Sequence, residues 1–173
     1  GWQVTGIEIS DFAAGEGRKK GLDVRTGTIG TVSFPPASFD VITLWDVFEH
    51  VRFPKDDLHT LSTLLKSGGL LVMNTPDSRA VFARLSGKWW PLLLPPEHIH
   101  LFSKRGLSAL LEKSGFEVLS IDRVGKKFKP AYILHMLSTV RHQKIWKRLS
   151  EMIEKTAINR LQIPLNLRDN TFR

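Results

Sequence analysis

An α/β fold built on an open, mostly parallel sheet with flanking helices is predicted by three features of the sequence. Short β-branched and apolar runs alternate along residues 4–121 with segments of helical character, the order expected of strands joined by crossover helices. The run Leu70 to Met73 is apolar without alternation, which suits a strand covered on both faces. Glycine or proline punctuates the runs at Gly21, Gly68, Gly69, Pro76 and Gly115. The 173 residues, 42% apolar and 24% charged, suffice for one domain with a core and match neither a disordered chain nor a membrane bundle. The absence of cysteine excludes a disulfide framework, a thiolate metal site and a cysteine nucleophile.

The first strand is expected over Val4 to Ile9. A short helix follows from Asp11 to Lys20, capped by Ser10 or Asp11 and stopped at Gly21. Leu22 to Arg25 forms a second short strand, and Phe39 to Trp45, rich in β-branched and aromatic residues, a third. After Pro54, Leu58, Leu61, Leu64 and Leu65 give a helical stripe that Lys66 to Gly69 should end with a left-handed glycine cap. Leu70 to Thr75 is the next strand, closed by Pro76. Ser103 then caps a helix bearing Leu107, Leu110 and Leu111, which stops at Gly115 before a strand over Phe116 to Ile121.

Beyond residue 125 the character changes. Ala131 to Val140 and Gln143 to Leu161 read as amphipathic helices, and Ile163 to Leu167 as a last strand. The expected organisation is therefore an α/β core over residues 1–125, a basic helical cap over 126–162 and a last core strand in 163–173. Eleven of the 25 Lys and Arg but three of the 17 Asp and Glu fall in residues 126–173. Residues 1–125 hold 14 of each, so the whole excess of +8 belongs to the tail.

Glu8 stands at the carboxyl end of the first strand, where open α/β sheets bind ligands and where an acid can take both hydroxyls of a ribose. The third strand delivers Asp46, Glu49 and His50 to its own carboxyl end. His98 and His100 lie two apart, on one side of an extended segment, where one either lines a pocket or bonds the start of the next helix. Trp89 and Trp90, followed by Pro91 and leucines, form a bulky apolar segment. Phe39 to Val51, Lys66 to Pro76, Val4 to Ser10, His98 to Ser103 and Leu110 to Phe116 together resemble a class I S-adenosylmethionine-dependent methyltransferase. The similarity is to the broad group that contains small-molecule and ubiquinone-biosynthesis O-methyltransferases, and it spans residues 3 to about 123.

The resemblance implies a Rossmann-like sheet and S-adenosyl-L-methionine as cofactor, with Glu8 on the ribose and Ile9 against the adenine. Thr28 and Ile29 fall at the adenine edge, although many members carry an acid where this chain has Thr28. Leu44, Trp45 and Asp46 would line the methionine half, Trp45 being equally credible as a core residue. On the acceptor side the resemblance points to His50, Glu49 and His98 as catalytic residues, against the simpler reading that Glu49 and His50 fix the loop. The acid-x-x-Glu-His spacing from Asp46 to His50 is similar to a metal-binding pattern in some O-methyltransferases, but relatives without a metal share Glu-His, so no metal ligand is assigned.

One departure is large. The family's first strand and its glycine-rich loop have no counterpart, since Gly15 and Gly17 belong to a helix and Gly27 and Gly30 follow the wrong strand. The chain is therefore expected to be the C-terminal part of a longer methyltransferase, binding cofactor weakly or not at all on its own, with its activity in that form left open. Folded alone, strands 3–9 and 39–45 either pair directly or leave a gap for a partner chain.

The expected activity is methyl transfer to an oxygen of a small molecule or glycan-like metabolite, in a cytoplasmic setting because no leader or membrane span is visible. The alternatives are a non-catalytic methyltransferase-like scaffold and a nucleotide-sugar or nicotinamide-binding domain. Residues 126–162 are expected to meet an anionic partner, a membrane surface ahead of nucleic acid.

Overall fold

The computed structural model describes residues 1–173 apart from 81, 82, 85, 86, 91, 94, 125, 126, 142, 143, 162, 165–170 and 173. Its strands are β1 (Thr5–Glu8), β2 (Asp23–Thr26), β3 (Phe39–Trp45), β4 (Leu65–Pro76), β5 (Arg123–Val124), β6 (Lys127–Phe128), β7 (Ile163–Pro164) and β8 (Thr171–Phe172). Its α-helices are α1 (Asp11–Lys19), α2 (Pro54–Leu64), α3 (Lys104–Lys113), α4 (Pro130–Arg141) and α5 (Lys144–Glu154), and a 3-10 turn, η1, covers Phe48–His50.

Two parallel pairs carry the α/β core. β1 runs parallel to β2 from Thr5 opposite Asp23 to Glu8 opposite Thr26. β3 runs parallel to β4 from Val41 opposite Leu70 to Trp45 opposite Asn74. In each pair the crossover helix brings both carboxyl ends to the same side, which is what makes those ends available to a ligand. β1 and β3 belong to separate sheets, so direct pairing of these strands is not the arrangement adopted.

Local capping follows the sequence closely. Ser10, not Asp11, caps α1, its hydroxyl accepting from the Ala13 N–H at 3.3 Å. Ser103 caps α3 in the same way, accepting from the Gly106 N–H at 3.1 Å. Three expectations are corrected. The α2 helix stops at Leu64, and Leu65, buried and extended, already pairs with Phe39 in the ladder. Residues 66–69 then bulge between the Phe39–Leu65 and Val41–Leu70 pairs, so Gly68 takes its positive φ of 74° inside a strand. Phe116 to Ile121 forms no ladder among the described residues; β8 pairs with the end of β4, and β5 starts only at Arg123. Phe116 and Ile121 instead pack on the core.

In the tail, α5 ends at Glu154 and a separate 3-10 turn follows at Ala157–Arg160; residue 143, the expected start of the helix, lies outside the described residues. The α4–α5 hairpin is tied by the buried Ser150 hydroxyl, which donates to the Ala131 carbonyl at 2.9 Å. Ile163–Pro164 pairs with Lys127–Phe128 in its own ribbon, and residues 165–167 of the expected last strand lie outside the described residues. Among the described residues no helix is long and apolar enough to cross a membrane.

One buried cluster of Leu44, Phe48, Leu58, Leu61, Met73 and Leu107 joins β3, η1, α2, β4 and α3. Ile29, from the turn after β2, packs against it and links the first strand pair to the second. Leu58, 0% exposed, sits at the centre. Leu58→Ala is expected to cost about 2–5 kcal/mol in chemical denaturation, by lost burial and the cavity left behind. Leu119→Ala, at a position 72% exposed, should stay within about 0.5 kcal/mol of the parent.

Candidate active site

Glu8 ends β1 half-buried, with Oε1 accepting the Ser10 N–H at 2.8 Å. No other hydrogen bond to its carboxylate is made among the described residues, so Oε2 is uncommitted. The Gly27 N–H donates to the Glu8 carbonyl at 2.9 Å, and the turn closes so tightly that a Cβ on Gly27 would lie 2.7 Å from the Thr31 hydroxyl and from Val32. That closure brings exposed Thr28 beside the end of β1, its N–H donating to Thr31 Oγ1 at 2.8 Å. Ile9 is exposed next to Glu8, while Ile29 turns into the core.

At the end of β3 the three expected residues divide. Leu44 is buried in the core cluster and faces away from solvent. Trp45 is 52% exposed, so it is not an ordinary core aromatic. Asp46 has a positive φ of 51°, an uncommon state for a residue with a Cβ. A residue that sequence reasoning missed holds it there. Asn74, opposite Trp45 in the ladder, accepts the Asp46 N–H through Oδ1 at 2.6 Å and donates from Nδ2 to Asp46 Oδ1 at 3.1 Å. The available signal was a polar Asn closing an apolar run at a strand's carboxyl end.

Beyond this turn, η1 and the segment 97–102 are stitched together. The Glu49 carbonyl accepts from the N–H groups of both Ile99 and His100 at 3.0 Å. Buried Phe48 stacks on Phe102 with centroids 5.2 Å apart. His50 Nδ1 lies 2.8 Å from the Glu97 carbonyl, and His98 Nδ1 lies 2.6 Å from that of Leu92. A carbonyl only accepts, so both rings carry their proton on Nδ1 when neutral, and each presents a lone pair at Nε2. The two rings meet edge to face with centroids 4.8 Å apart. The Glu49 side chain joins them: it is 1% exposed, and ligand atoms of Glu49, His50 and His98 lie within 4.8 Å of one another. His100 sits apart from the pair, against Phe102. Trp90 is buried with Ala80 and Ala83 in a second small core cluster, so packing accounts for it.

Residues 1–121 match the model of a family described as a methyltransferase domain. The chain is 28% identical over 151 residues to the ubiquinone biosynthesis O-methyltransferase of Azoarcus sp. (strain BH72), covering 80% of this chain and 64% of that protein. It is 32% identical over 126 residues to a ubiquinone biosynthesis O-methyltransferase of Cereibacter sphaeroides (strain ATCC 17029 / ATH 2.4.9), covering 68% and 49%. The chain thus spans about half to just under two thirds of the length of these curated relatives. Among solved structures, a SAM-dependent methyltransferase from Thermotoga maritima is 27% identical with a TM-score of 0.58, over 71% of this chain and 58% of that one. A SAM dependent methyltransferase from Archaeoglobus fulgidus has a TM-score of 0.61 over 97% and 72%; at 17% identity it speaks for the fold alone. The Rossmann-like α/β expectation is borne out.

The Asp46 turn is open to a direct check. Asp46→Asn keeps a side chain that tolerates the left-handed region and an oxygen for the Asn74 amide, and is expected to leave stability nearly unchanged. Asp46→Val should cost about 1–3 kcal/mol in denaturant unfolding, because a β-branched residue is strained at that φ.

Proposed function

The chain belongs to the methyltransferase-domain family, and on that premise we propose that it transfers a methyl group from S-adenosyl-L-methionine to an oxygen of a small molecule or glycan-like metabolite. The family and the fold imply this cofactor. The residues fit it on the adenosine side: an acid with an uncommitted oxygen, an exposed apolar neighbour and an exposed hydroxyl meet at the ends of β1 and β2. Gly15 and Gly17 lie in α1, and Gly27 and Gly30 in the turn after β2, so none of them forms a loop ahead of β1.

When bound, the cofactor supplies a methyl group on a cationic sulfonium, open to direct displacement. The chain's own residues then have distinct tasks. Glu8 Oε2 holds the ribose hydroxyls, Ile9 offers the adenine an apolar face, and Thr28 serves its polar edge. Trp45 and Asp46 border the methionine half, with Leu44 beneath them as core support. The observation that carries the oxygen reading is the pair of imidazoles, edge to face at 4.8 Å, whose Nδ1 bonds to carbonyls leave Nε2 as the proton-accepting nitrogen of each neutral ring. A hydroxyl must shed its proton to attack well, and His50 or His98 can take it at Nε2, with the Glu49 carboxylate offsetting the charge. Such proton transfer contributes about 10²–10⁴-fold in comparable sites. The names of the relatives, O-methyltransferases, support the same reading.

A second reading concerns the partner. We propose that the α4–α5 hairpin rests on an anionic membrane surface. Ile145 and Met152, two turns apart on one face of α5, are 61% and 67% exposed. Lys144, Arg148 and Lys155 are exposed beside them, and Ile158 and Leu161 continue the apolar surface. Basic side chains alone would suit any polyanion; the bulky aliphatics between them favour lipid.

In an NMR titration, S-adenosyl-L-methionine is expected to shift the amides of Glu8, Ile9, Thr28 and Trp45, and Glu8→Ala should weaken binding about tenfold or more through loss of charge-assisted hydrogen bonds. No shift at millimolar cofactor would sink the assignment. Binding without transfer of a labelled methyl group to hydroxylated acceptors would favour the non-catalytic alternative. For the hairpin, sedimentation with anionic vesicles should fall as salt rises and be lost in the Ile145→Ser, Met152→Ser double variant. Equal binding to neutral vesicles would refute the lipid reading.

A further inference from the structure

We propose that Asn74 is a positioning residue for the methionine half of the cofactor, acting through the left-handed turn it imposes on Asp46. The inference rests on the methyl-transfer reading above and names a residue which that reading leaves out. The β3–β4 ladder ends where Trp45 faces Asn74, so no further rung is there to hold Asp46. The Asn74 side chain supplies the missing rung. Its Oδ1 accepts the Asp46 N–H at 2.6 Å, and its Nδ2 donates to Asp46 Oδ1 at 3.1 Å. One amide therefore fixes both the backbone and the carboxylate of the same residue. The pairing demands this residue type: a carboxylate in its place would set oxygen against oxygen, and an apolar side chain would leave both groups unmet.

Two further observations give this latch a purpose. Asp46 has a φ of 51°, a state that is costly for a residue with a Cβ and persists only where the surroundings enforce it. Glycine takes such a turn without help, so the turn alone does not account for the pair; keeping a carboxylate there with its direction fixed does. The turn also lies outside the core, since Trp45, Asp46 and Val47 are all exposed. Asn74 itself stands on a firm strand end, because Met73 and Thr75 on either side of it are buried. Its amide is thus aimed at a turn on the carboxyl side of two parallel strands, where open α/β sheets take ligands. Pre-organisation raises affinity according to the fraction of molecules already in the binding-competent turn. Two hydrogen bonds lost together are expected to leave that turn a minor state, a change of about tenfold in affinity.

The test compares two probes on the full chain by NMR titration: S-adenosyl-L-methionine, and adenosine, which lacks the methionine half. Asn74→Ala is expected to weaken S-adenosyl-L-methionine about tenfold while leaving adenosine, read at the Glu8, Ile9 and Thr28 amides, unchanged. Unchanged adenosine binding also shows that the variant is folded. Asn74→Asp should resemble Asn74→Ala at neutral pH, because its carboxylate repels that of Asp46. In an Asp46→Gly chain the positive φ needs no latch, so adding Asn74→Ala there should weaken binding no further. Parallel loss of both probes, or a full second loss in the Asp46→Gly chain, would overturn the positioning role. So would S-adenosyl-L-methionine binding that Asn74→Ala leaves intact. Those results strike this inference alone. A parent chain that responds to neither probe would remove the cofactor reading itself, and this inference with it.

Discussion

The Glu49 carbonyl holds the corner that contains His50 and His98 together. It accepts two backbone N–H groups, from Ile99 and His100, and so fastens a segment from far along the chain to the turn that ends β3. Each such bond contributes about 0.5–1.5 kcal/mol net, but losing the acceptor would strand two donors at once. His98 belongs to a long connection between β4 and α3 that adds no strand to the main ladder. Its position relative to His50 is inherited from this carbonyl, from the Phe48–Phe102 stack and from the His50–Glu97 contact. Phe48, completely buried, anchors the turn from below. The ring pair and the buried Glu49 side chain beside it rest on the same short stretch of backbone.

The β1–β2 pair is coupled to that corner by side chains instead of a ladder. β1 and β2 form their own sheet, so the step from β2 to β3 is carried by packing. Arg25 stands over the Phe34 ring at 4.1 Å, and Phe34 meets Phe39 of β3 edge to face at 5.0 Å. Ile29 completes the link by packing on the cluster that holds Leu44 and Phe48. Side-chain contacts are individually weaker and less directional than strand pairing. Among the described residues β1 and β3 each lack a partner on one edge, so the ends of β1 and β2 sit on a less constrained mount than the histidine corner.

How much of this was legible in the sequence depended on how far each determinant reaches. Ser10, Ser103, Gly21 and Gly115 act within one helical turn, and the structure uses each as a cap or a stop. Leu65 continues the leucine stripe and so has the spacing of a helix; ladder pairing with Phe39, a tertiary effect, decides otherwise. Phe116 to Ile121 has the composition of a strand, but β8 takes the place beside β4. At the site, Glu8, His50 and His98 could be named singly from strand ends and residue type. Their meeting could not, since it depends on a bond from the His50 ring to the Glu97 carbonyl, 47 residues along the chain. Asp46 was grouped by spacing with Glu49 and His50, yet its left-handed φ directs it to Asn74, and linear spacing carries no φ.

The distribution of charge then makes physical sense. The implied cofactor carries a positive sulfonium, and a basic lining would repel it. The strand ends instead present Glu8 and Asp46, and residues 1–125 balance 14 bases with 14 acids. The excess of +8 belongs to residues 126–173, much of it on exposed faces of α5 and the turn that follows. Exposed charges act over about 8 Å at physiological salt, so a basic face is felt by a surface in contact with it more than by a remote pocket. A hairpin fastened through Ser150 to Ala131 can thus concentrate positive charge for a surface while the strand ends remain suited to a cation.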